Sequence, residues 1–143
     1  MKILAFLQNS WHKEPERVKE IFGRHPEQRN RLIRVYLFMG CLTGKRLEAI
    51  FGEDLCNKII WEEISPEIGG FSASKFPADL NHIKASLEKH KPDVVVAFGK
   101  IAGNAIKSLD LSVPVIYTIH PTSRGDDVNG RLRKAAEELK RLL

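Results

Sequence analysis

Four short runs of apolar residues, mostly β-branched or aromatic, recur along the chain at Lys2 to Leu7, Lys58 to Ile64, Asp93 to Phe98 and Val113 to Ile119. Each has the length of a strand. Val94-Val95-Val96-Ala97-Phe98 carries no polar position on either side of the pleat, as a strand covered on both faces requires. The intervals between the runs follow a helical period instead. Leu80, Ile83 and Leu87 fall at that spacing, as do Ala102, Ala105 and Ile106 after Gly99, and Leu132, Ala135, Ala136, Leu139 and Leu142 near the end. Strands alternating with helices predict an α/β fold, with a three-layer α/β/α arrangement around a four-stranded parallel sheet.

One connection is much longer than the rest. About fifty residues separate the first run from the second, where a crossover needs only about a dozen. Helical patterns run there from Pro15 to Phe22, from Pro26 to Phe38 and from Gly44 to Phe51, the last with Thr43 as its expected N-cap. An insertion of this size after the first strand is expected to build one wall of a pocket.

Composition narrows the class. A length of 143 residues suits one domain over 1–143. With 43% hydrophobic and 29% charged residues, and no apolar run approaching the ~20 residues of a membrane span, a soluble protein without membrane contact is expected. The opening MKILAFLQNS lacks a small-residue cleavage site and reads as the first strand, so a cytoplasmic location is expected. Cys41 and Cys56 are the two cysteines and lack CxxC spacing. Neither a disulfide framework nor a zinc or iron–sulphur site is implied, and no cofactor is expected.

The formal charge of +5 suits an anionic partner. The charge is unevenly placed: residues 12 to 46 hold nine Lys/Arg against four Glu, and residues 47 to 119 hold seven against ten acids. Helices with solvated basic faces account for the same counts, so charge alone does not select nucleic acid.

In open parallel sheets, ligands sit outside the carboxyl ends of the strands. Those ends carry Gln8-Asn9-Ser10-Trp11, then Ser65-Pro66-Glu67-Ile68-Gly69-Gly70, then Gly99-Lys100, and finally His120-Pro121-Thr122-Ser123-Arg124. A buried strand ending in an imidazole, two hydroxyls and a guanidinium is unusual. These groups donate protons and hold phosphates.

Together the strand ends resemble motifs of the uracil-DNA glycosylase superfamily, and the resemblance spans most of the chain. Leu7-Gln8-Asn9-Ser10-Trp11 occupies the place of the family's G-x-N-P-G type motif, and His120-Pro121-Thr122-Ser123 matches its final H-P-S motif. "LFMGCLTGKRL" looks like the P-F-V-G-x-x-G-x-L-L segment, with Phe38 at the stacking position and Gly40 and Gly44 as the paired glycines. "KPDVVVAFGKIAGNAI" resembles the family's third strand and helix.

The resemblance implies a sheet in the order 2-1-3-4 and a monomer that hydrolyses the N-glycosidic bond of a damaged or deaminated base flipped from DNA. It implies that Asn9 positions the attacking water, that His120 stabilises the departing base, and that Gln8, Ser10, Trp11, Phe38 and Gly40 belong to the base slot. Thr122, Ser123 and Arg124 would hold flanking phosphates, with Lys45 and Arg46 doing so at a helix start, where backbone N–H groups favour an anion.

The chain also departs from the family. Ser10 and Trp11 replace a proline and a glycine, and the asparagine that reads the uracil edge after the second strand is absent. Glu63 and Ser65 stand in its region, and a carboxylate accepts from a base N–H but cannot donate to a carbonyl. The preferred base is therefore open. Two other functions are compatible with the residues. One is a non-catalytic nucleic-acid-binding module that keeps the fold and pocket, and the other is a flavodoxin-like domain binding a nucleotide or small phosphate ligand. Gln8-Asn9-Ser10-Trp11 has no glycine of the kind a phosphate loop needs.

Overall fold

The computed structural model describes residues 1–39, 41–70 and 76–143. The central sheet contains β1 (Ile3–Leu7), β3 (Ile59–Glu63), β5 (Val94–Phe98) and β6 (Val115–Thr118), all parallel, in the order β3-β1-β5-β6. Two further strands of two residues each, β2 (Ser10–Trp11) and β4 (Ile68–Gly69), form a separate parallel pair. Counted over the six described strands the order reads 3-1-5-6 where 2-1-3-4 is expected; the four long runs keep the expected neighbours, and the difference comes from the two short strands. Two residues are too few to show a period, so the sequence pattern does not reveal them.

Alternation along the strands divides the core into two faces. Ile3, Ala5 and Leu7 of β1 lie in one buried cluster, and Leu4 and Phe6 lie in the other. The first cluster is closed by α1 (Pro15–Arg24), α2 (Arg29–Phe38), α3 (Leu42–Phe51), α4 (Glu53–Lys58) and α7 (Val128–Leu142). The second is closed by α5 (Leu80–His90) and α6 (Lys100–Ser108). The fold is thus α/β with helices on both faces of the sheet. The long insertion lies wholly on the first face.

Helix starts follow their caps where a side chain supplies one. Asp79 accepts from the backbone N–H of His82 at 3.0 Å and opens α5, and Asp127 accepts from Gly130 at 3.3 Å and opens α7. Helix α3 differs from expectation. It begins at Leu42 after Cys41, without a side-chain cap, and Thr43 lies inside it, buried. The segment Pro26 to Phe38 splits into a 3₁₀ turn at Pro26–Gln28 followed by α2.

The open edge of β3 is sealed by side chains. Asn30 of α2 donates from Nδ2 to the Trp61 carbonyl at 2.8 Å, and its Oδ1 lies 3.0 Å from His90 Nε2 of α5. Unpaired strand edges invite pairing with other chains, and this one is covered from both helical layers.

Gly44 sets how closely α3 approaches the end of α2. A methyl group there would stand 2.0 Å from the Leu37 carbonyl oxygen and 2.9 Å from the Phe38 Cα, both rigid backbone atoms. Gly23, near the end of α1, has nothing within 4 Å of such a methyl. Replacing Gly44 by alanine is therefore expected to cost at least about 1–3 kcal/mol, whereas Gly23→Ala should be neutral or stabilising by about 0.5–1 kcal/mol. Urea denaturation of both variants measures this. Equal midpoints would show that the two helices do not meet at Gly44.

Candidate active site

The residues following β1 do not form an open loop. Ser10 and Trp11 pair with Ile68 and Gly69, and His12 N–H donates to the Gly69 carbonyl at 2.9 Å. The first strand end is thereby fixed to the chain that follows β3. Asn9 is half-buried, and its Nδ2 donates to the Ser10 carbonyl at 3.1 Å. Gln8 Nε2 is buried with no hydrogen-bond partner among the described residues. Such an orphan donor costs roughly 1–3 kcal/mol unless water or a ligand meets it. Trp11 is 45% exposed and stands outside the core.

His120 follows β6 by two residues. The backbone turns tightly there: Gly99, with φ 92°, ends β5 so close that a methyl on it would lie 3.3 Å from the His120 Cβ. Its N–H donates to the Thr118 carbonyl at 2.9 Å. The imidazole Nδ1 accepts from the Thr122 N–H at 3.2 Å and lies 2.9 Å from the Thr122 hydroxyl. A ring nitrogen that accepts from a backbone N–H carries no proton, so the neutral tautomer holds its hydrogen on Nε2. Burial pushes the imidazole down to about 4. At neutral pH the ring is uncharged and presents one donor.

At the end of β3, two successive carboxylates have opposite fates. Glu62 is 2% exposed and faces the α5 layer. Arg29 Nε bridges its two oxygens at 3.0 and 3.2 Å, Ser86 Oγ donates at 3.0 Å, and His82 Nε2 lies 3.0 Å away. Burial alone would raise this carboxyl, but the His82 imidazole and the Arg29 guanidinium outweigh it and hold the group below the usual carboxylate range. Glu63 is 5% exposed and accepts from Ser10 Oγ. Burial pushes it up to about 7, against the opposing pull of the Ser10 hydrogen bond. The two groups differ because Glu62 is held directly by an imidazole and a guanidinium, whereas Glu63 has only a hydroxyl in contact among the described residues.

Phe38 is half-buried at the outer end of an aromatic row. Its ring centroid lies 5.5 Å from Trp61, which lies 6.1 Å from Phe98, which lies 5.9 Å from Phe51. The Arg34 guanidinium covers Phe38 at 3.8 Å from the centroid. As it stands, the ring stacks on an arginine, and a base would have to displace that guanidinium. Gly40 lies outside the described residues.

Other positions take structural work that the sequence pattern does not show. Arg46 is half-buried and donates to the Pro121 carbonyl at 2.6 Å, so it anchors the turn after His120. Ser65 is 2% exposed, and its Oγ accepts from the Glu67 N–H at 3.2 Å. Ser123 is half-buried and accepts from the Gly125 N–H at 3.3 Å. Lys45, Thr122 and Arg124 are exposed, with Thr122 committed to His120. Lys100, at the start of α6, is a further exposed cation at the end of β5.

Two open concavities occur elsewhere. One of about 490 Å³ lies between the α3–α4 junction and the end of α7, and one of about 480 Å³ runs from Ser65 to Glu67 and from Phe76 to Asn81. Neither is lined by Asn9 or His120. The groups that sequence reasoning missed are the Ser10–Glu63 contact and the Arg46 anchor. Both join residues more than fifty positions apart, and no local pattern signals them. Against known proteins, no family model, curated protein or solved structure matches the chain.

The perturbed groups make opposed contributions to stability. Folded Glu63 keeps its proton to about 7, whereas an ordinary glutamate gives it up near 4.5. Between those values the unfolded chain binds fewer protons, so the Glu63 contribution is complete below 4.5 and is lost as pH rises through 7, on the order of 3 kcal/mol. His120 acts in the other direction, adding stability as pH rises from about 4 to 6.5. Glu63→Gln, which cannot ionise, should therefore gain on the wild type as pH goes from 4.5 to 7.5. Denaturation midpoints at several pH values read this, and a constant difference across the range would contradict it.

Proposed function

We propose that the protein is a DNA glycosylase of the uracil-DNA glycosylase type, hydrolysing the N-glycosidic bond of a base extruded from DNA. The observation that carries the reading is His120, a neutral imidazole at the carboxyl edge of the sheet, with Nδ1 satisfied by Thr122 and the hydrogen on Nε2. A base departing from its sugar takes the bonding electrons and becomes an anion, with charge growing on its oxygens. A fixed neutral donor acts where that charge develops, so it lowers the barrier more than it tightens substrate binding. Asn9 at the end of β1 supports the reading. A neutral amide orients water without removing its proton.

The position of β1 inside the sheet, between β3 and β5, supports it too, because Asn9 and His120 then follow strands two places apart. At ~4.8 Å per strand this spans roughly 10 Å, the width a planar ring and two side chains require. Exposed Lys100 and Arg124, which follow β5 and β6, lie at the same edge and suit phosphates, and Lys45 is a further exposed cation in α3. A base inside a duplex is unreachable, so the substrate is an extruded or single-stranded nucleotide.

A second reading, a nucleic-acid-binding module without catalysis, is favoured by two observations. The Phe38 ring is already covered by Arg34, and neither of the two concavities is lined by Asn9 or His120. The readings separate in one set of assays. Single- and double-stranded oligonucleotides carrying uracil, hypoxanthine or xanthine are incubated with the protein, and abasic sites and bound fraction are both measured. The glycosylase reading expects abasic sites, a loss of roughly 10²–10³ in kcat for His120→Ala, and unchanged DNA affinity in that variant. Arg124→Ala should instead weaken binding and reduce its salt slope by about one. Binding without abasic sites selects the second reading, and binding that does not respond to salt rejects both.

A further inference from the structure

The site as described lacks a group that removes the proton of the attacking water. Asn9 is an amide, and neutral His120 offers a donor on Nε2 and has its Nδ1 occupied by Thr122. Neither accepts a proton on the path to product. Among the described residues at this edge, Glu67 is exposed and turned to Lys19, and Glu62 is neutralised by Arg29. Asp79 caps α5, Asp127 caps α7, and Asp126 beside it is exposed to solvent, where a carboxylate is a weak proton acceptor. Glu63 remains.

Its placement is specific. Glu63 is the register partner of Leu7, the last residue of β1, and Ser10 three residues further on donates its hydroxyl proton to Glu63 Oε1. Glu63 is 5% exposed while Ser10 is half-buried, so solvent and ligands meet Ser10, and the carboxylate stands behind it. The pairing of Ser10 with Ile68 holds this arrangement in place. The unpartnered Gln8 amide, two residues before Ser10, leaves a polar donor at the same strand end.

We propose that Ser10 and Glu63 form a proton relay in which Ser10 takes the proton of the attacking water as its own hydroxyl proton passes to Glu63. This rests on the glycosylase reading above. In the step, the water oxygen forms a bond to the sugar C1′ and the C1′–N bond breaks, with its electron pair leaving on the base. One water proton moves to Ser10 Oγ, the Ser10 proton moves to Glu63, and the base anion later takes a proton from solvent while Glu63 returns its own. The products are an abasic sugar and a neutral base, and the protein ends unchanged.

Burial gives Glu63 the proton affinity the task needs. A carboxyl raised to about 7 is a far better acceptor than an ordinary glutamate and is still partly ionised at neutral pH. Ser10 sets the balance, since its hydrogen bond favours the ionised form. Ser10 acts directly on water, and Glu63 acts through it.

The test uses the full chain in two measurements. Infrared titration of the carboxyl groups in wild type and in Glu63→Gln should show one group titrating near neutrality that the variant lacks, moved upward in Ser10→Ala. Single-turnover cleavage from pH 5.5 to 8.5 should rise through neutrality in wild type. It should become flat and roughly 100-fold slower above pH 7 in Glu63→Gln, with KM unchanged, and Ser10→Thr should restore the wild-type profile that Ser10→Ala loses. A titration curve identical in wild type and Glu63→Gln overturns the relay, and so does a wild-type pH profile retained by Glu63→Gln. Cleavage that His120→Ala abolishes but Glu63→Gln leaves untouched overturns the relay alone. DNA binding without cleavage by wild type overturns the glycosylase reading and the relay with it.

Discussion

A carboxylate with almost no exposure, at the edge of the sheet, ties the layers together. Glu62 belongs to β3, Arg29 to the start of α2 on one face, and Ser86 and His82 to α5 on the other. An ionised carboxylate buried without partners costs several kcal/mol, and one held by a guanidinium and a hydroxyl does not. The chain can meet that requirement only by wrapping two helices from different parts of the sequence around the same strand end. Asn30, next to these groups and held in turn by His90, then satisfies the outward carbonyl of Trp61. Closing the edge and neutralising the charge are one event, and the aromatic row under Trp61 depends on it, since α2 supplies Phe38.

Much of the fold was legible because the long strands are apolar on both faces. Runs such as Val94 to Phe98 identify themselves, and the helices between them show a clear period. Elements without a period were not legible. Ser10–Trp11 and Ile68–Gly69 are two residues each, and one contains a glycine, a poor strand former. Helix α4 follows α3 across Gly52 at φ 85° and buries only Leu55 and Cys56. Thr43 is a good N-cap by type, yet it lies inside α3 and is buried. Tertiary contact at Gly44 overrides the local preference.

The candidate site was legible as a set of strand ends and not as a set of contacts. That Asn9 and His120 occupy carboxyl ends follows from the strand pattern alone. What each does depends on partners far away in the chain. Arg46 reads as a free cation at a helix start, but it is bound to the Pro121 carbonyl. Phe38 reads as a stacking surface, and Arg34, one helical turn earlier, already covers it. Glu63 reads as a carboxylate in the base-reading region, and nothing in the sequence separates it from Glu62 beside it. Which of them would meet a guanidinium and which a hydroxyl depends on how α2 and β2 close over β3.

The order of the strands also affects the chain as it is made. β1 is entirely buried and is flanked by β3 and β5, so this strand leaves the ribosome with neither neighbour until residues 59 to 63 and 94 to 98 have followed. At roughly 5–20 residues per second, several seconds pass in which five apolar residues have no edge to pair with. The helices of the insertion form in microseconds and can cover one side of β1 during that interval, but the other side waits for α5 and α6. A nascent chain of this design therefore carries one face of β1 uncovered until α5 and α6 have been made.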